Sequence, residues 1–157
     1  MLLGLGTAFI ILLLDQASKY YVLNHVLADY GVIGYTSFFN LVRAWNTGVS
    51  FSMFNNWGSL GVILLSVVAL SIVGFLVYWL YTETDRMIQV ALGFIIGGAV
   101  GNVADRVRLG AVFDFLDFHV AGHHWPAFNV ADSFICIGAA LIIIRTVYLK
   151  AKGIEVK

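Results

Sequence analysis

Four aspartates fall within residues 101–132: Asp105, Asp114, Asp117 and Asp132. Arg106, Arg108, Asn102 and Asn129 share the same stretch. The whole chain has only nine acidic and nine basic residues in 157, so charge gathered here, between two apolar segments, marks a place for chemistry. Two carboxylates that share a site cannot both ionise easily, because like charges repel at short range. One stays protonated as an acid, and the other is free to act as a base. Such a pair suits peptide hydrolysis: the base takes a proton from water and the acid protonates the scissile carbonyl oxygen. Asp132 is the firmest member, because it lies in an apolar segment long enough to cross a membrane. Asp114 is next. Asp117, in Phe113-Asp-Phe-Leu-Asp-Phe118, is a real competitor. Asp105, followed by Arg106 at the end of a helix, reads as a structural partner.

Other chemistries fit less well. The His-Glu-x-x-His spacing of a zinc peptidase is absent. His119, His123 and His124 cluster beside Trp125, which reads as an interfacial loop and not a metal site. Ser133 has no histidine at a telling spacing. Cys136 lies within an apolar run, where a thiol is inert, and as the single cysteine it can make no intrachain disulfide. No metal and no cofactor is expected.

The elements that must hold these residues follow from composition. Hydrophobic residues make up 61% and charged residues 11%, with mean hydropathy +0.91. Soluble domains carry roughly 45–50% apolar and about 25% charged residues. The chain reads as one integral membrane domain over residues 1–157, mostly α with a small β element. With zero net charge, nothing points to nucleic acid. Four membrane helices are expected at about 2–25, 59–81, 87–104 and 127–149. The first lacks a basic leading segment and a small-residue cleavage site, so it reads as retained. It carries Asp15 and Lys19 four residues apart, acid first, the order that favours pairing along a helix. Trp57 at one end of the second helix, with Tyr78, Trp79 and Tyr81 at the other, mark the interfaces. Gly93, Gly97 and Gly101 line one face of the third, which permits close helix contact. Pro126 begins the fourth. Residues 29–56, punctuated by Gly31, Gly34, Asn46 and Gly48, read as strand-like pieces forming a small sheet at the membrane surface. Residues 105–126 read as a loop bearing the active site. Arg86, Arg145, Lys150, Lys152 and Lys157 fall on one side, and Arg43, Arg106 and Arg108 on the other. The excess puts both termini in the cytoplasm, with the sheet and the charged stretch outside.

Five blocks, in order, carry a resemblance: Leu14-Asp-Gln-Ala-Ser-Lys19, Asn46-Thr-Gly-Val-Ser-Phe-Ser52, Gly101-Asn-Val-Ala-Asp-Arg106, Gly110-Ala-Val-Phe-Asp-Phe115 and Pro126-Ala-Phe-Asn-Val-Ala-Asp-Ser133. Together they resemble the bacterial lipoprotein signal peptidases, the type II signal peptidases. The resemblance implies an aspartic endopeptidase of the bacterial inner membrane with its site toward the periplasm. It would remove signal peptides from diacylglyceryl-modified prolipoproteins, cutting before the lipidated cysteine. It also implies Asp114 and Asp132 as the catalytic pair. Asp15, Lys19, Asn46, Gly48, Asn102, Arg106 and Asn129 fall on the family's motif positions and would support the pair or hold substrate. Membrane lipid and prolipoproteins are the expected partners, and a monomer is the expected state. From the residues alone, a small four-helix ion or proton transporter is the competing reading, with Asp15, Lys19 and Asp132 as its path. A clamp made by the aromatic segment 38–45 is a further expectation.

Overall fold

The computed structural model describes residues 1–48 and 58–153. The later part of the Asn46 block, the end of the 29–56 segment, the interfacial Trp57 and the terminal Lys157 lie outside the described residues.

Four helices carry the fold. α1 (Leu2–Tyr21) runs on into a π-helical turn, Val22–Val26. α2 spans Gly58–Thr82, α3 Arg86–Leu109 and α4 Val130–Ala151. All four are long and apolar enough to cross a membrane. Even the shortest span, 22 residues, reaches about 33 Å at 1.5 Å per residue, against a hydrocarbon layer of roughly 30 Å. Their outward surfaces stay apolar: Ile63, Phe75, Ile143 and Val147 are all exposed, as lipid-facing side chains should be. α3 is the central helix. Half of its apolar window is buried, against 11% for α2 and for α4, and the other three helices all pack on it.

Glycine makes that centrality possible. A Cβ at Gly97 would strike the Ala8 carbonyl of α1, and one at Gly98 would lie 2.6 Å from the Ala131 carbonyl of α4. Adjacent glycines thus let α3 meet two backbones at once. The expected 93–97–101 face is the one that meets α1: Gly93 sits on the Gly4 carbonyl and Gly101 on Asp15. Below this contact, Ala8, Leu76, Leu80, Ile88, Leu92 and Ile96 form the interhelical core.

Helix ends depart from the sequence reading, and the departures matter. Asp85 caps α3, accepting from the backbone N–H groups of Met87 (2.9 Å) and Ile88 (3.1 Å). Arg145 of α4 binds the same carboxylate at 2.7 Å, so the start of α3 and the end of α4 lie together. α3 continues to Leu109, not 104, because Asp105 is neutralised within the fold and nothing before Gly110 breaks the helix. Gly110, at φ 74°, ends it and turns the chain directly into a strand. The expected loop 105–126 is therefore the end of α3 followed by two strands. α4 begins at Val130, not 127. Residues ahead of it are extended, with Phe128 bridged to Leu116, and the N-cap is Asn129 rather than a turn opened by Pro126.

The small sheet has the order β1 (Val32–Gly34), β2 (Phe39–Asn46), β3 (Val112–Val120), β4 (His123–His124), all antiparallel. Only β1 and β2 come from the segment expected to form it; the charged stretch supplies the rest. Ala121 (φ 50°) and Gly122 (φ 81°) make the two-residue turn between β3 and β4, the positive-φ geometry that tight hairpins need. Val22, Leu27, Phe113 and Phe115 pack the sheet onto the end of α1. The Arg43 guanidinium binds the carbonyls of Leu27 and Ala28 there.

Candidate active site

Asp114 lies on β3, 2% exposed. Asn129 Nδ2 donates to one of its oxygens at 2.6 Å, and Asn46 Nδ2 to the other at 3.1 Å. Asp132 lies in the first turn of α4. Its Oδ2 accepts from the backbone N–H of Asn129 at 3.2 Å, while its own N–H donates to Asn129 Oδ1 at 3.0 Å. This is a capping box. It satisfies two donors that the start of a helix leaves unpaired, and here it also does something more. Asn129, fully buried, is hydrogen-bonded to both aspartates and so fixes one relative to the other. The pair thus comes from a strand and a helix start joined by a single amide side chain.

A second network sets the first. Asn102 Nδ2 donates to Asp132 Oδ1 at 2.8 Å. Its Oδ1 accepts from Asn129 Nδ2 and from Lys19 Nζ, both at 3.1 Å. Two donors on that oxygen dictate which way the amide points, so its NH₂ must face Asp132. Lys19 in turn pairs with Asp15 at 2.8 Å and Asp105 at 2.9 Å. All three are buried, and three acceptors use the three N–H bonds of the ammonium. Both carboxylates also hold backbone. Asp15 Oδ1 accepts from Ala131 N at 2.9 Å and Asp105 Oδ2 from Phe113 N at 3.2 Å. One ion-pair cluster therefore locks α1, α3, the start of α4 and β3 together beneath the dyad.

Burial, and then the nearby charge of Asp132, push the Asp114 carboxyl up to about 7 from 3.8. The hydrogen bonds from Asn46 and Asn129 and the more distant charge of Lys19 only partly oppose this. A proton on Asp114 near neutral pH follows. Asp117 goes the other way. Burial would raise it, but hydrogen bonds from His124 and Asn40 prevail and hold it below 3.8.

The structure separates the two rivals physically. Residues 114 and 117 are an odd number apart on one strand, so they face opposite sides of the sheet. A bulge in β2, between the Leu41–Leu116 and Ala44–Asp114 pairs, shifts the alternation of β2 by one residue. Asn40 then meets Asp117 at 2.8 Å on one face, and Asn46 meets Asp114 on the other. Without the bulge, one strand could not serve both.

Gly48 acts through its backbone: its N–H donates to Asn46 Oδ1 at 3.1 Å and its carbonyl accepts from Arg106 at 3.3 Å. Arg106 shares its face of α3 with Asn102, and its charge acts first on Asp132 and then on Asp114. Its Nε is buried without a hydrogen-bond partner among the described residues. Gln16 belongs to the cluster although no motif reading singled it out. It donates to Asp15 (3.1 Å), Asp105 (3.0 Å) and the Gly101 carbonyl (3.2 Å), and its position beside Asp15 was the available signal. Ser133 donates to the Asn129 carbonyl at 3.0 Å. Cys136 is exposed on α4, contrary to the buried thiol expected from its apolar run, because that run faces outward. His119 and His124 stack ring on ring at 4.8 Å, an arrangement of neighbours and not of ligands converging on one point. Among the described residues no group of three or more His, Cys, Asp or Glu side chains is placed to hold a metal ion.

A cavity of about 420 Å³ opens beside Asp132, between the segment Trp125–Phe128 and the first turns of α4. It is the concave, largely apolar space with one charged group that a ligand site needs.

Residues 7–148 match the model of the family described as signal peptidase (SPase) II. A lipoprotein signal peptidase of Aeromonas hydrophila is 45% identical over 142 residues, covering 89% of this chain and 85% of that protein. One from Rhodopseudomonas palustris is 45% identical over 147 residues (90% and 89%). One from a Methylobacterium species is 42% identical over 156 residues (98% and 93%). Two solved structures, each titled as a bacterial membrane enzyme, share the fold. One has TM-score 0.81 at 28% identity, covering 98% of this chain and 93% of its own. The other has TM-score 0.75 at 30% identity, covering 90% of each. The chain therefore belongs to the signal peptidase II family.

Proposed function

We propose that the protein is an aspartic endopeptidase that removes signal peptides from diacylglyceryl-modified prolipoproteins, with Asp114 and Asp132 as its catalytic pair. The observation that carries this is Asn129, which binds both carboxylates at the outer end of α4 and leaves Asp132 beside an open apolar cavity. Asp132 takes a proton from water as the water oxygen attacks the scissile carbonyl carbon. Asp114 gives its proton to the carbonyl oxygen, and a neutral gem-diol results. On collapse, Asp114 regains a proton from the diol and Asp132 passes its own to the leaving nitrogen as the C–N bond breaks. The dyad ends as it began. Asn46, Asn102 and Asn129 hold the carboxylates in place, while Asp15 and Lys19 anchor Asn102 and the start of α4. Arg106 and Gly48 bring the end of β2 to α3, and Arg106 also offsets the negative charge of the pair.

The site belongs at the outer face of the bacterial inner membrane, with both termini in the cytoplasm and the enzyme acting as a single chain. A substrate whose signal helix and acyl chains lie in lipid can reach such a site without leaving the bilayer. Lys19 has no donor to spare for a conducting path, which favours hydrolysis over transport.

The test is direct. Detergent-purified protein incubated with a diacylglyceryl-modified prolipoprotein should yield the mass loss of the signal peptide. Folded protein that leaves a verified lipidated substrate intact contradicts the reading, and charge movement in sealed vesicles would then support a transporter.

A further inference from the structure

Asp117 is a buried carboxylate, 5% exposed, with no place in the dyad. Burying a carboxylate is costly unless its hydrogen bonds repay it, so its partners show what it is for. His124 Nδ1 lies 2.8 Å and 3.0 Å from its two oxygens. Because an ionised carboxylate only accepts, that nitrogen carries the hydrogen. Asn40 Nδ2 donates at 2.8 Å. The three side chains come from β2, β3 and β4 and form a transverse tie across one face of the sheet. The His119 ring backs the His124 ring.

Beyond the tie, the chain leaves the sheet as Trp125–Pro126–Ala127–Phe128 and becomes one wall of the cavity at Asp132. Among the described residues, backbone bonds hold this wall only at its two ends. Trp125 N donates to the Phe118 carbonyl at 2.8 Å, and Phe128 exchanges bonds with Leu116 at 2.9 and 3.1 Å. Between them Pro126 has no N–H to give. His124, immediately before Trp125, is thus the last side-chain anchor before the wall.

We infer that the Asn40–Asp117–His124 tie is a substrate-positioning device: it fixes the wall of a hydrocarbon-lined cavity that receives an apolar group flanking the scissile bond. The inference rests on the peptidase reading above. Asp117 and His124 are positioning residues, acting on substrate through the wall, and Asp117 takes no part in proton transfer.

Steady-state kinetics on the lipidated prolipoprotein test it. Asp117→Ala and His124→Ala should each raise KM about tenfold, the cost of one charge-assisted hydrogen bond, with kcat within about twofold of wild type. The double variant should be no worse than either single one, since both break the same tie. His124→Asn, which keeps an N–H donor at the place of Nδ1, should recover much of the loss. Asp117→Asn keeps the side-chain volume and carries the test if an alanine variant fails to fold. Two substrates locate the group. The KM penalty should shrink either when the acyl chains are shortened or when an apolar residue on the signal-peptide side becomes alanine. An unchanged KM in the variants, a penalty indifferent to both altered substrates, or a fall in kcat at unchanged KM overturns the inference. Wild-type cleavage in the same assay keeps any such failure separate from failure of the peptidase reading.

Discussion

Asn129 is the residue on which the site turns. Its side chain and backbone together touch Asp114, Asp132 and Asn102, so an aspartate held by a strand and one held by a helix become a single rigid unit. The proton on that unit sets the pH dependence. Asp114, raised to about 7, is protonated below that value and can serve as the acid. As pH rises through it the proton leaves, and kcat/KM should fall along an alkaline limb centred near 7. Stability should move the same way: a carboxyl whose folded pKa is raised contributes most below 3.8, and that contribution is lost as pH climbs through the folded value. Asn46 opposes the shift by favouring the ionised form. Asn46→Ala should therefore displace the alkaline limb upward, measurable as a pH–rate profile; a limb that stays in place or moves down contradicts this placement of the proton. From sequence, the choice between Asp114 and Asp117 could not be made on physical grounds. Asp114 lies between Phe113 and Phe115 and Asp117 between Leu116 and Phe118; their odd spacing puts them on opposite faces of the strand, but which face meets Asn46 and Asn129 is set by pairing with other segments.

At the scale of elements, the dyad depends on how closely α3 approaches its neighbours. A side chain at Gly98 would press on the Ala131 carbonyl, next to Asp132. Gly98→Val should cost about 1–3 kcal/mol by overpacking and lower kcat by displacing the start of α4. Gly74→Val on α2, where nothing among the described residues lies within 4 Å of an added Cβ, is the matched control and should change neither Tm nor turnover. Lys19→Met would leave Asp15 and Asp105 buried without their cation and release the Asn102 amide. A loss of about 3–5 kcal/mol is expected, read as a fall in Tm accompanied by lower kcat; a variant with wild-type Tm would count against a buried cluster that joins the helices. These elements were unequally legible in the sequence. Long apolar runs and glycines four apart announce membrane helices and their contact face. The acid-first spacing of Asp15 and Lys19 announces their pair. The ends were harder. Residues 105–109 look like the start of a polar loop until Asp105 is seen to be neutralised by Lys19. Residues 127–129 look like the apolar start of a helix until their pairing with β3 is seen. Both errors arise from contacts between distant segments, which local periodicity does not record.

At the scale of the whole molecule, charge is sorted to the two ends of the helix bundle. Asp85 and Arg145 close one end, and the Lys19 cluster, the dyad and the sheet occupy the other. With Arg86, Lys150 and Lys152 also at the first end, the positive-inside tendency supports the proposal that this end is cytoplasmic. A reporter fused after Lys152 should be active only in its cytoplasmic form; a periplasmic reporter signal would reverse the proposed orientation. In the proposed orientation, the cavity beside Asp132 would be open to a substrate anchored in the same membrane. The most direct test compares single-turnover cleavage of a saturating diacylglyceryl-modified prolipoprotein by wild type, Asp114→Asn, Asp132→Asn and Asp117→Asn, each shown to be folded. Loss of roughly 10³-fold or more in the 114 and 132 variants, with the rate kept in the 117 variant, is the expected result. Cleavage that survives either of the first two changes, or is abolished at 117 instead, contradicts an Asp114–Asp132 dyad.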